Sequence, residues 1–269
     1  MERIWQKNYP AGVAHEIDAS QYSSLTDLLE RAFSEHGDSP FSVCMNRWMS
    51  YKELNQLSTA LGAWLQSKGL PPGSRVAIML PNLPQFAVTM AAVLRAGYTC
   101  VNVNPLYTAR ELQHQLKDSG ATAIVVLENF AATLQEVLDQ SAIQHVVVAS
   151  IGDLLGTWYG RWMTFAVRHL AKLVPEYELS LEGGRTVTPF KKAIAQGRNM
   201  NLKVVSQSLD DIAFLQYTGG TTGLSKGAVL THRNVVAAML QAEAWFSPAL
   251  ADIGDLRKVN SIAALPLYH

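Results

Sequence analysis

The stretch "RVAIMLPNLPQFAVTMAAVLRAGYTCVNVN", Arg75 to Asn104, decides the fold. Arg75–Leu80 is short, apolar and strand-like. Pro81–Gly97 has helical spacing and ends at a glycine, and Thr99–Asn104 is strand-like again. Strand, crossover-length helix and strand predict a βαβ unit with parallel strands. The same alternation continues outward. Upstream, Met49–Gly69 reads as a helix with Ser50 as N-cap, Glu53 completing a capping box, apolar residues from Leu54 to Leu65 at helical spacing, and Gly69 as the stop. Downstream, Tyr107–Gly120 is a helix with Thr108 and Glu111 as its capping box and Gly120 as its stop. Thr122–Leu127 is a strand, Phe130–Gln140 a helix and Gln144–Ser150 a strand. The expected class is α/β, with a largely parallel sheet and helices on both faces. The apolar, β-branched strands agree with burial on both sides.

Composition bounds the rest. The chain has 269 residues, 48% hydrophobic and 16% charged, enough core for one large domain or two modest ones. Its 22 basic and 22 acidic side chains balance, which gives no support to a nucleic-acid partner. Cys44 and Cys100 lie in strand-like stretches and are expected as buried thiols of a reducing compartment, although their number allows one disulfide. The N-terminal "MERIWQKNYP" has no signal-like apolar run, and no stretch reaches the roughly 20 apolar residues of a spanning helix. The expectation is a cytoplasmic, soluble chain.

After Ser150 the pattern loosens. Residues 152–177, "GDLLGTWYGRWMTFAVRHLAKLVPEY", have no acid between Asp153 and Glu176. Arg161, Thr164, Arg168 and Lys172 fall on one helical stripe. Trp158, Tyr159, Trp162, Met163, Ala166, Leu170 and Val174 fall on the other side. A basic amphipathic helix with interfacial tryptophans fits a membrane surface; the same pattern fits a surface helix docked on its own domain. A linker, "SLEGGRTVTP", leads to a short helix over Phe190–Gly197.

The chemistry concentrates in "YTGGTTGLSKG", Tyr217 to Gly227. A strand from Asp210 enters this loop. "AVLT" leaves it as a strand, and Thr231 caps a helix that follows. Ligands collect at such strand ends in α/β sheets. Glycines let backbone N–H groups converge on an anion, the hydroxyls of Thr218, Thr221, Thr222 and Ser225 add donors or magnesium ligands, and Lys226 adds a positive charge. These parts suit a polyphosphate. Two residues separate Gly223 from Lys226, and a glycine follows the lysine, so this is no Walker A loop; nor is it the dinucleotide fingerprint G-x-G-x-x-G. His232 reads as a residue that caps or packs near a helix start, Asp210 and Asp211 as a turn, and Asn104–Glu111 as a turn into a capped helix.

Tyr-Thr-Gly-Gly-Thr-Thr-Gly-x-x-Lys-Gly resembles the signature loop of the adenylate-forming superfamily, and "ALPLYH" at Ala264–His269 resembles the family's LP-aromatic-His segment. Three stretches, Pro81–Gly97, Val101–Ala121 and Leu215–Asn234, look like the branch of bacterial long-chain fatty acyl-CoA synthetases. The resemblance covers nearly the whole chain and is weakest over about 151–201.

It implies ATP-dependent activation of a fatty acid to an acyl-adenylate, then transfer to CoA, with magnesium (Mg2+) as cofactor. The phosphate grip falls on Tyr217, Thr218, Gly219, Gly220, Thr221, Thr222, Gly223 and Lys226. The catalytic pair is Lys226 and His269, and the magnesium hydroxyl is Thr218 or Thr221. Many relatives carry serine where this chain has Gly219, so serine-specific roles are not carried over. The family's later Tyr-Gly-x-Thr-Glu and Thr-Gly-Asp segments and its C-terminal lid domain are absent from the sequence. The implied organisation is an incomplete N-terminal large domain over 1–269. Residues 50–150 form a βαβ-type subdomain, 151–201 a variable and possible membrane-facing segment, and 210–269 the phosphate-loop region. Such a fragment is not expected to be fully active. Membrane association on the inner face through 154–175 and a homodimer are compatible with the resemblance. An adenylate-forming ligase for another acid and a non-catalytic nucleotide-binding module are the alternatives.

Overall fold

The computed structural model of the chain describes residues 3–218, 225–251, 253 and 259–269. Helix α1 (Leu25–His36) precedes a hairpin of β1 (Pro40–Cys44) and β2 (Arg47–Ser50). There follow α2 (Tyr51–Gln66), β3 (Arg75–Met79), α3 (Pro84–Arg95), β4 (Thr99–Asn102), α4 (Ala109–Ser119), β5 (Ala123–Leu127), α5 (Ala131–Leu138) and β6 (His145–Ala149). Next come α6 (Thr157–Phe165), β7 (Thr186–Pro189), α7 (Phe190–Gly197), β8 (Ile212–Thr218), β9 (Lys226–Thr231) and α8 (His232–Ala251).

Among the described residues, seven strands form one sheet in the order β7-β6-β5-β3-β4-β8-β9. Neighbours are parallel except β8 and β9, which run antiparallel. Side chains alternate between two cores, as the period of two along a strand requires. Val76, Ile78, Cys100, Val125 and Leu127 face a layer built from α1, α2, α3, α7 and α8, with Trp64, Leu94 and Phe190 at its centre. Ala77, Met79, Val101, Ile124 and Val126 face α4 and α5 through Leu112, Leu116, Leu134 and Leu138. Each fully buried leucine contributes about 1.5–3 kcal/mol of apolar burial. The expected parallel α/β architecture is therefore present, with the carboxyl ends of β3, β4 and β8 along one edge.

Local signals succeed unevenly. At α4 the capping box is complete. Thr108 Oγ1 accepts from Glu111 N, and Glu111 Oε2 accepts from Thr108 N at 2.9 Å. The Thr108 hydroxyl also donates to Glu111 Oε2 at 2.7 Å, and this bond first, then that from Thr108 N, holds the Glu111 carboxyl below its usual range. Gly120 closes the helix in the left-handed region at φ 61°. At α2 the box is half made. Ser50 Oγ accepts from Glu53 N at 3.1 Å, but the Glu53 carboxylate turns to Arg47 of the hairpin at 2.7 and 3.0 Å. The charged Arg47 Nη2 reaches both carboxylate oxygens, and a charge-assisted bond of this kind outcompetes one neutral backbone N–H. Helix α3 starts at Pro84 rather than Pro81, because proline suits the first turn and the preceding residue is extended. The two cysteines are free; Cys100 is buried, and Cys44 is only partly so.

The segment after Ser150 differs most from expectation. One helix over 152–177 is not formed. Residues 157–165 are α-helical, 166–170 make a π-turn, and Lys172 ends the run at φ 52°. Its docked side is small and charged rather than apolar. Gly160 lies against the Gly152 carbonyl, where an added Cβ would sit 2.1 Å away. Arg168, expected on the solvent stripe, pairs with the wholly buried Glu128 carboxylate. The aromatic stripe faces outward, with Trp158 82%, Trp162 58% and Phe165 53% exposed. Among the described residues, no helix is long and apolar enough to cross a membrane.

Candidate functional site

Strand β8 ends at Thr218 and β9 begins at Lys226, and these two residues stand opposite each other in the antiparallel ladder. Both side chains are exposed. Gly219, Gly220, Thr221, Thr222 and Gly223, the rest of the expected grip, lie outside the described residues. Tyr217 pairs with Gly227 one step further in. The phenol ring covers that glycine so closely that an added Cβ would lie 2.9 Å from the ring, which explains why glycine follows the lysine.

Both stems of the loop are tied to α4. The buried Tyr217 donates its hydroxyl proton to Asp118 Oδ2. Burial first, and then the Asp118 bond and charge, push the Tyr217 phenol well above its ordinary range. On the other stem, Ser225 O accepts from His114 Nε2 at 2.9 Å. A carbonyl can only accept, so that ring nitrogen carries the proton.

His269 also reaches this edge. It is exposed and lies tilted against the Tyr268 ring at 4.9 Å. Residues 259–269 are irregular. Side chains hold the segment instead. Asn82 Nδ2 donates to Ala263 O and Leu265 O, and Asn82 Oδ1 accepts from Leu267 N, each at 2.8 Å. Gln216 Nε2 donates to Tyr268 O at 2.7 Å, while Gln216 Oε1 accepts from Asn102 Nδ2 at 3.0 Å. Gln115 Nε2 donates to Asn102 O at 2.7 Å. Asn102 Oδ1 and Gln115 Oε1 remain buried without a protein partner. Buried amides of this kind mark polar, water- or ligand-bearing ground.

His114, Asp118, Asn82, Asn102 and Gln216 escape sequence reasoning, because each acts through tertiary neighbours. Only the Pro-Asn step after β3 and the place of Gln216 beside the loop hint at them. His232 behaves as expected. It is buried, Nδ1 accepts from Leu25 N at 3.1 Å, and burial holds its pKa below the ordinary value. Asp211 closes a turn on Ser208 N, and Asp210 pairs with Arg233 on the surface. Among the described residues, no cluster of three or more His, Cys, Asp or Glu side chains could hold a metal. A shallow cavity of about 850 Å³ lies between α5 and the segment after α6, lined by Arg168, His169 and Tyr177; none of its walls belongs to the loop stems.

The strand-end loop, its two stems and the parallel sheet define a class. The sequence profile of the AMP-binding enzyme family matches residues 29–269, and the chain belongs to that family. Among curated proteins, it is 44% identical to the long-chain-fatty-acid–CoA ligase of Escherichia coli O157:H7, over 100% of this chain and 46% of that one. It is 29% identical to the ligase of the same name from Bacillus subtilis, over 91% of this chain and 42% of that one. The chain thus spans about half the length of the curated relatives it matches. In three dimensions it is similar to the crystal structure of a long-chain-fatty-acid–CoA ligase (FadD1) from Archaeoglobus fulgidus, with a TM-score of 0.68 at 24% identity, covering 97% of this chain and 46% of that chain. An anthranilate CoA ligase in complex with anthranoyl-AMP gives 0.63 at 20% identity, covering 81% of this chain and 37% of the other. These two likenesses establish the fold.

Proposed function

We propose that the protein carrying this chain is a long-chain fatty acid–CoA ligase. A fatty-acid carboxylate oxygen attacks the α-phosphorus of ATP, and pyrophosphate leaves. The CoA thiol, losing its proton, then attacks the acyl carbon of the adenylate and expels AMP. In-line attack at phosphorus needs positioning and charge neutralisation more than covalent help from the protein. The observation that carries the reading is Thr218 opposite Lys226 at the mouth of the glycine-threonine loop, with the His269 segment held to the same sheet edge. On this reading Lys226 and the loop from Thr218 to Gly223 bind the pyrophosphate part of ATP, the buried Tyr217 braces the loop through Asp118, and His269 orients the acid near the α-phosphate.

The donor set fits magnesium. This ion keeps substrate phosphates and waters as most of its ligands and needs only one or two oxygens from the protein. The exposed Thr218 hydroxyl, or that of Thr221, would supply one; the ion would neutralise phosphate charge. The 44% identity to a long-chain ligase favours a long-chain acid. The test is acyl-CoA formation by the full gene product with ATP, CoA and acids from short to long chain. Formation that rises with chain length is the expected result. Turnover of another carboxylic acid but no fatty acid would overturn the substrate and keep the chemistry.

The outward aromatic stripe supports peripheral membrane contact through 154–175. Trp158, Trp162 and Phe165 would enter the headgroup boundary, with Arg161 and Lys172 near anionic lipid. Replacing Trp158 and Trp162 by serine should weaken binding to anionic vesicles about tenfold or more and leave adenylation in solution intact. Unchanged vesicle binding would make this an ordinary surface helix.

A further inference from the structure

The β8–β9 ladder runs up to Thr218 opposite Lys226 and spaces the two stems, but it holds β9 from one side only. Strand β9 is the edge of the sheet, paired on one side only. Several of its residues are exposed, including Lys226, Ala228 and Val229. A glycine-rich segment also loses more conformational freedom on ordering than any other. The ladder spaces the stems, and a second contact must anchor the pair to the rest of the domain before a polyphosphate arrives.

Helix α4 is built for that. It is rigid, with a complete capping box at its start, a left-handed glycine at its end, and Leu112 and Leu116 wholly buried beneath it. Asp118 takes the Tyr217 hydroxyl on the entering stem, and His114 donates to Ser225 O on the leaving stem. The two side chains are four residues apart, one helical turn, and so share one face. One turn of helix thereby ties both stems of the ladder to α4. Gln115 extends the same helix to the other half of the site. It bonds Asn102 O, Asn102 bonds Gln216, and Gln216 bonds Tyr268 O beside His269.

We propose that His114 and Asp118 are positioning residues for nucleotide binding: through Ser225 and Tyr217 they anchor the paired stems to α4 and so hold Thr218 and Lys226 in place for the phosphates. The proposal rests on the ligase reading above. Neither residue needs to touch ATP. Their loss should therefore act on ATP affinity more than on the acid or on the fold.

The test uses the full gene product, with KM for ATP, KM for the fatty acid, kcat for pyrophosphate release and thermal midpoint measured together. Asp118→Ala and His114→Ala should each raise KM for ATP about tenfold, as expected for losing a hydrogen bond with a charged or buried partner. KM for the fatty acid and the thermal midpoint should stay near wild type. Asp118→Asn keeps an acceptor and His114→Gln keeps a donor, so both should recover most of the affinity. Tyr217→Phe removes the hydroxyl and keeps the ring over Gly227. It should match Asp118→Ala, and the double variant should show no further loss. If the alanine variants do not fold, Tyr217→Phe, Asp118→Asn and His114→Gln carry the test by the same comparison. Unchanged KM for ATP in Tyr217→Phe or in folded alanine variants would overturn the proposal. So would a loss of thermal midpoint with no change in KM, which would mean a purely structural role. A wild-type protein without fatty-acid-dependent pyrophosphate release would overturn the ligase reading first, before any variant is made.

Discussion

Helices α4 and α6 are both amphipathic, yet they meet the domain in opposite ways. Helix α4 buries Leu112 and Leu116 and turns its polar residues to its own cap and to the loop stems. Helix α6 buries Gly160 and leaves its tryptophans in water, and the π-turn after it buries Val167 and sets the exposed Arg168 against the buried Glu128 carboxylate. The first is held by apolar area, the second by a close backbone contact at Gly152–Gly160 and one ion pair. An apolar stripe is therefore no guide to which side of a helix docks. The docked side is the one that satisfies both area and buried charge, and at α6 the buried Glu128 decides it.

Three comparisons sharpen or break this contrast. The largest effect is expected from truncating the stripes. Leu116→Ala on α4 should destabilise by about 2–5 kcal/mol, because the side chain is wholly buried. Trp158→Ala on α6, though a larger truncation, should stay within about 0.5 kcal/mol by denaturant unfolding. A large loss at Trp158 would mean that its ring is covered in the protein. Next comes Arg168→Met, expected to cost about 3 kcal/mol by leaving the Glu128 carboxylate buried and unpaired. Glu128→Gln in the same background should restore part of it, since a neutral amide is cheaper to bury. No loss at Arg168 would mean that α6 is held by something else. The smallest contrast is at the caps. Thr108→Ala should cost about 1 kcal/mol, since its hydroxyl caps α4. Thr157→Ala should be near neutral, because no side chain caps α6. Equal costs would place hidden capping at α6.

The regular part of the fold was legible because local and global signals agree there. The strands from Arg75 to Ala149 are mostly apolar, and the helices between them carry apolar stripes that do face the sheet. At α4 both ends were readable from Thr108, Glu111 and Gly120. At α2 the same motif misled, since Glu53 had a stronger partner in Arg47, which no local pattern reveals. The 152–177 segment misled for a related reason: its partner, Glu128, lies far back in sequence at the end of β5.

For the candidate site, the loop and His269 stood out by residue type and spacing. What holds them did not. Asp118, His114, Asn82 and Gln216 are ordinary helix, turn or strand residues in sequence, and their meaning comes only from the sheet edge that gathers them. A glycine-threonine-lysine loop can be read as a phosphate grip from its chemistry. The scaffold that fixes its stems is a property of the packed chain.

The central claim is that the stems joined at Thr218 and Lys226 serve the transfer of an adenylyl group to a fatty acid. Its most direct test is the fatty-acid-dependent exchange of labelled pyrophosphate into ATP, by the full gene product and by its Lys226→Ala variant. The account predicts exchange that requires a long-chain acid and falls about a hundredfold or more in the folded variant, as losing a phosphate-directed charge does. Exchange undiminished by Lys226→Ala, or absent from the wild-type protein with every fatty acid, would contradict it.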